Sequence, residues 1–417
     1  MTKPIKAVFA FLLCISLFVS LSVTSFADEM SSDRAKSGNV ATEYYTDDLT
    51  EEYAVETATI PMSSPPSIDA KSVILMEQST GKILYENNAN EKLPPASITK
   101  IMTMLLVSEA LDDTRLKLSD IVTTSEHAAS MGGSQIWLEP KETMTVEELL
   151  KAVAVGSAND ASVALAEHIA GSEEGFVGMM NEKAQSLKMN NTIFKNACGL
   201  DDEGHISSAK DVAIMSRELL KHDVIRKFTS IWMDSLRGGD TQLVNTNKLV
   251  RFYMGATGLK TGTTSKAGFC LSASAKRDNM ELIAVVMDAK SSNDRFSGAK
   301  KLLDYGFANW KIMKPVFDKS QINKIEVKMG QKGSVNIKVD KPANELIKSN
   351  DKSKITTKID IPESIEAPVA KGQKIGTLTV LNGNSKLSEY SIYATDDVKR
   401  TDFGFALMNL MKSWMTP

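Results

Sequence analysis

A serine and a lysine stand three residues apart in Ser97-Ile98-Thr99-Lys100. This is the first of three short patterns that could do covalent chemistry; the others are Ser157-Ala158-Asn159 and Lys260-Thr261-Gly262. A serine hydroxyl is a weak nucleophile at neutral pH and needs an adjacent base. Residues three apart share a helix face, so Lys100 would stand beside Ser97. A lysine can act as that base only if its pKa falls, and burial and a second nearby cation both lower it. Lys260 would be that cation. Pro94 and Pro95 can lead into a helix but not extend one from within, and the run from Ser97, SITKIMTMLLVSEAL, has helix-forming composition. Ile101, Met102, Met104, Leu105 and Leu106 make it apolar nearly all round, as in a buried helix. The pair would then sit at the positive end of a rigid core element. Taken alone, Ser97 also reads as an N-cap and Lys100 as a surface lysine; three such patterns in order favour catalysis.

The second pattern follows Leu149 to Val155, an apolar helical run closed by Gly156, and small residues continue through Asn159 to Ser162. It reads as a turn between two helices. From there Ser157 could relay a proton between lysines and a leaving amine, and Asn159 could donate its amide to a substrate carbonyl. Capping of the next helix is the alternative and is compatible with both roles. The third pattern opens a β region with Gly268 to Ala275 and the buried-strand run Glu281 to Met287, turning at Arg277-Asp278-Asn279. It should lie on an edge strand facing the cleft, where a peptide-like substrate could add as a further strand. Gly262 lets backbone approach closely. The backbone N–H groups of Ser97 and Thr263 are candidates for an oxyanion hole. Arg295 could clamp a terminal carboxylate, or be a solvated surface arginine.

With these residues in view the chain resembles D-alanyl-D-alanine carboxypeptidases, the low-molecular-mass penicillin-binding proteins, from about Ser67 to its end. The stretches Glu126 to Ser134, Asn196 with Gly199-Leu200, and Ser207-Ser208-Ala209-Lys210-Asp211 are also similar, and the nearest likeness is to the sporulation-associated branch. The resemblance implies Ser97 as nucleophile and Lys100 as base, with Ser157, Asn159, Lys260, Thr261 and Arg295 as partners. It implies a peptidoglycan stem peptide ending in D-Ala-D-Ala as substrate, β-lactams as inhibitors and no cofactor. Two positions depart from the commoner pattern: Ala158 stands where Gly or Asp is frequent, and Thr263 where some relatives carry His. A serine β-lactamase shares the three patterns, and a wall-peptide or penicillin sensor is the non-catalytic alternative.

The elements that must position these residues divide the chain. Lys3 and Lys6, the apolar Ala7 to Val23 and Ser25-Phe26-Ala27 read as an export signal over residues 1–27, with an uncleaved anchor as the alternative. Residues 28–66 are acidic, lack periodicity and read as a mobile leader. The catalytic unit spans 67–312. In it, a hairpin turning at Ser79-Thr80-Gly81 and the late strands share one antiparallel sheet, with a helix near 299–307 and a helical middle over it, an α+β arrangement of the β-lactamase/transpeptidase kind. Alternating runs at Ile322 to Val327, Ser334 to Val339, Ile355 to Ile359 and Ile375 to Val380 predict a small all-β sandwich over 313–398 that positions the catalytic unit. Residues 399–417 place Phe403, Leu407, Leu410, Met411 and Trp414 at helical spacing. That fits an amphipathic helix at a membrane surface, or one folded back on the sandwich.

Rival chemistries lack their signatures. A net charge of −3 gives no basic footprint for nucleic acid. There is no His-Glu-x-x-His, no Cys-x-x-Cys and no Gly-x-Ser-x-Gly, so metallopeptidase and α/β-hydrolase readings fail and no metal is expected. Beyond the signal only Cys198 and Cys270 remain, which is no disulfide framework, and His127, His168, His205 and His222 read as structural or exposed.

Overall fold

A computed structural model describes residues 64–415 apart from 341, 352 and 353. The expected export signal and all but the last three residues of the acidic leader lie outside the described residues.

The hairpin forms where expected, as β1 (Ala70–Glu77) and β2 (Ile83–Asn87). Its turn is organised by the buried Glu77 carboxylate, which accepts from the Ser79 and Thr80 amides at 3.0 and 2.7 Å. A one-turn 3-10 helix over Ala96–Thr99 runs into α1 (Lys100–Asp112). Next come a ribbon of β3 (Ile121–Thr123) and β4 (Thr143–Thr145) enclosing α2 (Glu126–Ala129), then α3 (Val146–Lys151), α4 (Asn159–Ala170) and α5 (Glu173–Ser186). They are followed by α6 (Ala209–Leu219), α7 (Asp223–Thr229), a second ribbon of β5 (Met233–Leu236) and β6 (Thr241–Val244), and α8 (Leu249–Phe252). The chain then returns to the sheet with β7 (Ala256–Thr264), β8 (Gly268–Arg277) and β9 (Met280–Ala289), and leaves it through α9 (Ser292–Asn309).

The antiparallel sheet has the order β2-β1-β9-β8-β7, so the Lys260-Thr261-Gly262 strand is an edge, as expected. Successive side chains of a strand face opposite ways, and both faces are covered. Val73, Leu75, Leu282 and Val286 meet Phe296, Leu302 and Leu303 of α9. Ile74, Met76, Ile283, Val285 and Met287 point into the larger core shared with the helical middle. That is why β1 and β9 read as near-continuous apolar runs. The helix expected from Ser97 begins at Lys100, because Ala96 sits at φ 48° and the first turn is 3-10.

After α9 come β10 (Trp310–Met313), β11 (Lys324–Lys328), β12 (Ser334–Val339), β13 (Glu345–Lys348), β14 (Ile355–Asp360), β15 (Ser364–Glu366), β16 (Lys374–Asn382) and β17 (Ser385–Ala394). The first half of β12 pairs with β11 and the second half with β17. The six-strand array β14-β16-β17-β12-β11-β15 thus folds round one core of Ile325, Val327, Val335, Ile337, Leu378 and Ile392. The four predicted strands are present. The alternation did not reveal β13, which pairs with β10 and buries Leu346 against the catalytic sheet's core across the expected boundary at 312. Finally α10 (Phe403–Met415) leaves Phe403 82% and Trp414 84% exposed. Among the described residues no helix is long and apolar enough to cross a membrane.

Candidate active site

The 3-10 turn sets the first contact. In a 3-10 helix side chains three apart eclipse one another, and Lys100 Nζ lies 2.9 Å from Ser97 Oγ. Lys100 is fully buried, yet has two further acceptors, Asn159 Oδ1 and the Cys198 carbonyl oxygen, each at 2.6 Å. Those two can only accept. An uncharged amine has two N–H bonds and one lone pair; with both N–H bonds directed at these oxygens, the lone pair faces Ser97 Oγ. The arrangement therefore orients a base as well as a cation. Burial pulls the Lys100 pKa down to about 8, partly offset by Cys198 and Asp160. Lys260, also fully buried, is held well below the usual lysine range, first by burial and then by repulsion from Lys100 and Arg295. Loss of water is thus the main cause of the low pKa of each lysine, and each would disfavour a charge on the other.

Asn159 is fixed from behind: its Nδ2 donates to Gly132 O at 2.6 Å and its backbone N–H to Ser134 O at 2.7 Å. One amide proton remains for a substrate carbonyl. The neighbouring Asp160 carboxylate, fully buried, accepts from the amides of Ile136 and Leu138 and holds the same segment. Ser157 ends a single π-helical turn (Ala152–Gly156) in the left-handed region at φ 63°, and is buried. No side chain caps α4, whose N-cap is Ala158, so capping does not account for Ser157 and Asn159.

Two glycines allow these walls to meet. A Cβ on Gly262 would lie 2.9 Å from Pro95 O and 3.0 Å from Ser97 N, so the glycine of the third pattern makes room for the nucleophile's own turn. Gly199, at φ 89°, approaches the turn from the other side, and a Cβ there would fall 1.9 Å from Ala96 O. Thr261 Oγ1 donates to Thr246 Oγ1 at 2.7 Å, and Thr246 N donates to Val155 O, tying the edge strand to the turn that carries Ser157. Arg295 is buried behind the strand. Its Nη1 donates to Thr263 Oγ1 at 2.8 Å and Gly262 O at 3.2 Å, its Nε is buried without a partner, and its Nη2 has one long contact to Ser292. The guanidinium supports β7 and adds charge there.

Ser97, Lys100 and Asn159 are thus in direct contact, Gly262 abuts the Ser97 turn, Lys260 is near enough to repel Lys100, Thr246 links Thr261 to the turn that carries Ser157, and Arg295 backs Thr263. What the sequence did not reveal is the loop on the far side of Lys100. The Cys198 carbonyl is presented by a loop whose Asn196 side chain accepts from the Gly199 amide at 2.6 Å and donates to Leu200 O at 3.0 Å. A backbone carbonyl carries no residue-type signal, and Asn196 drew notice only through resemblance. His205 is a neutral structural histidine: burial lowers its pKa to about 4, its Nδ1 accepts from Lys195 N, and its Nε2–H therefore donates to Thr99 Oγ1 at 2.8 Å. Cys198 and Cys270 are free, buried thiols. Among the described residues no group of three His, Cys, Asp or Glu could hold a metal ion.

The family model for D-alanyl-D-alanine carboxypeptidases, Peptidase_S11, matches residues 59–291, more than half of the chain. The chain belongs to the D-alanyl-D-alanine carboxypeptidase family. The model for the penicillin-binding protein 5 C-terminal domain matches residues 310–400. The chain is 48% identical to the D-alanyl-D-alanine carboxypeptidase DacF of Bacillus subtilis, over 83% of this chain and 90% of that one. Its fold is similar to penicillin-binding protein 5 of Haemophilus influenzae, with TM-score 0.71 and 33% identity over 81% of this chain and all of that one. It is also similar to the ampicillin-bound penicillin-binding protein D2 of Listeria monocytogenes, with TM-score 0.53 and 32% identity over 58% of this chain and 98% of that one. The S-x-x-K, S-x-N and K-T-G patterns of this family member are the ones described above, on two helical segments and an edge strand that carry two fully buried lysines, Lys100 and Lys260.

Proposed function

We propose that this serine-type D-Ala-D-Ala carboxypeptidase removes the terminal D-alanine from peptidoglycan stem pentapeptides through an acyl-enzyme on Ser97. The observation that carries the reading is the Lys100 amine with two fixed acceptors, Asn159 Oδ1 and Cys198 O, and its remaining direction on Ser97 Oγ. Lys100 takes the Ser97 proton as Oγ attacks the carbonyl of the penultimate D-Ala. The N–H groups of Ser97 and Thr263 receive the oxyanion. The C–N bond breaks, and the leaving D-alanine amine gains its proton through Ser157 from a lysine. Lys100, neutral again, takes a proton from water as the water attacks the ester carbonyl; the bond to Ser97 Oγ breaks, Oγ regains that proton, and the shortened peptide leaves as a carboxylate. Asn159 holds the substrate carbonyl, and Lys260, Thr261 and Thr263, with charge from Arg295, receive the terminal carboxylate. β-Lactams offer the same carbonyl and acylate Ser97.

The reading extends to location. The amino-terminal signal directs export, and the enzyme works at the extracytoplasmic face of the membrane. There α10 lies in the interface with Phe403, Leu407, Leu410, Met411 and Trp414 towards lipid, and the sandwich sets the height of the cleft. The exposure of those five side chains supports this. Liposome flotation with and without residues 402–417 tests it, and equal flotation refutes it. The catalytic reading is tested by D-alanine release from diacyl-L-Lys-D-Ala-D-Ala. Release by the wild type and none by Ser97→Ala is expected. Penicillin labelling without release by a folded wild type would contradict it and favour a sensor.

A further inference from the structure

The two acceptors that orient Lys100 belong to different segments, and one carboxylate outside the cleft joins them. Asn159 Oδ1 is held in place by the carbonyls of Gly132 and Ser134, which follow α2. Cys198 O belongs to the loop of residues 196–199. Glu173, the first residue of α5, touches both. Its Oε1 accepts from the Ala197 amide at 2.8 Å, one residue before Cys198, and its Oε2 accepts from His127 Nε2 at 2.7 Å, on α2 and five residues before Gly132. Ala197 is gripped from its other side as well, its carbonyl accepting from Thr103 Oγ1 of α1 at 2.6 Å. Glu173 is largely shielded, with 15% of its side chain exposed, whereas His127 is 52% exposed.

We propose that Glu173 is a positioning residue for catalysis: by bridging Ala197 and His127 it holds the Cys198 carbonyl and the Gly132–Ser134 segment at the separation that keeps the Lys100 lone pair on Ser97 Oγ. The inference rests on the reading of Lys100 as the base. A single hydrogen bond to a half-exposed imidazole is worth little to stability, so the contribution lies in geometry. Without the bridge the two segments lose their direct link and keep only their separate ties to Thr103 and Asn159, so the direction of the amine is less closely held while strand β7 is untouched. A displacement near one ångström at a reacting pair costs about tenfold to a hundredfold in rate. That loss should fall on kcat and on the acylation rate, and leave KM alone.

Glu173→Ala, Glu173→Gln and His127→Ala should be compared with wild type for the rate of Ser97 acylation by a fluorescent penicillin, for kcat and KM on the D-Ala-D-Ala peptide, and for melting temperature. Glu173→Ala should acylate about tenfold or more slowly with KM and fold retained. Glu173→Gln should recover most of the rate, its amide oxygen accepting from Ala197 and its N–H₂ facing the imidazole. His127→Ala should lose rate in part. A folded Glu173→Ala with wild-type acylation overturns the proposal. If that variant does not fold, a wild-type acylation rate in the exposed His127→Ala overturns it instead. Absence of D-alanine release by the wild type would count against the carboxypeptidase reading alone, since penicillin acylation reports on the bridge separately.

Discussion

Lowering the pH should slow acylation of Ser97 in proportion to the fraction of Lys100 that carries a third proton. With a pKa of about 8, about one molecule in ten holds an uncharged Lys100 at pH 7 and about one in a hundred at pH 6. The second-order rate constant for a penicillin should therefore fall about tenfold per unit below pH 7 and flatten above 8. A lysine at its ordinary value of 10.5 would instead keep rising through pH 9 and 10. Stopped-flow fluorescence with a labelled penicillin over pH 6–10 gives the profile directly. Lys100→Arg, which cannot lose its proton, should abolish acylation across the range. A flat profile between pH 6 and 8, or measurable acylation by the arginine variant, would refute the assignment of Lys100 as base.

Other outcomes follow from the same geometry. His205 has its folded pKa lowered to about 4 from 6.5. The unfolded chain therefore binds a proton that the folded one refuses between those values: the stabilising effect is complete above pH 6.5 and lost as pH falls towards 4, at about 1.4 kcal/mol per unit. Urea melts of wild type and His205→Gln at pH 7 and 4.5 should show the variant losing less on acidification, and equal losses would contradict this. Gly262→Ala should push the Ser97 turn away from β7 and cut acylation by about a hundredfold while the sheet stays folded; a circular-dichroism melt beside the penicillin assay checks both. Gly199→Ala, with its Cβ inside a backbone carbonyl at positive φ, should cost far more stability than Gly262→Ala, and a similar melting temperature for the two would be evidence against the close approach described here.

Much of this was legible in the residues, and the reasons are physical. Ser97 and Lys100 could be paired from their spacing because a side chain's direction on a helical turn is fixed by residue count, even though the turn proved 3-10. β1, β7, β8 and β9 carried long apolar or small-residue runs, because a sheet covered on both faces needs them. Asp160 was not visible: a carboxylate that serves backbone amides of a distant loop looks in sequence like any acid in a helix's first turn. The same holds for Glu173, the first residue of α5, which accepts from the Ala197 amide. The surface reading of Arg295 fails because the space behind β7, closed by Phe269 and Phe296 around its guanidinium, exists only once the sheet and α9 have packed. The strand β13 escaped because its Glu345-Leu346-Ile347 run buries consecutive residues and so lacks alternation.

The central claim, a Ser97 nucleophile activated by Lys100, is tested most directly by locating the acyl group. After brief exposure to benzylpenicillin, intact-mass and peptide-map spectrometry should find one penicilloyl adduct, on the peptide containing Ser97, in the wild type and none in Ser97→Ala or Lys100→Arg. An adduct on any other residue, or one that persists in Ser97→Ala, would contradict the account.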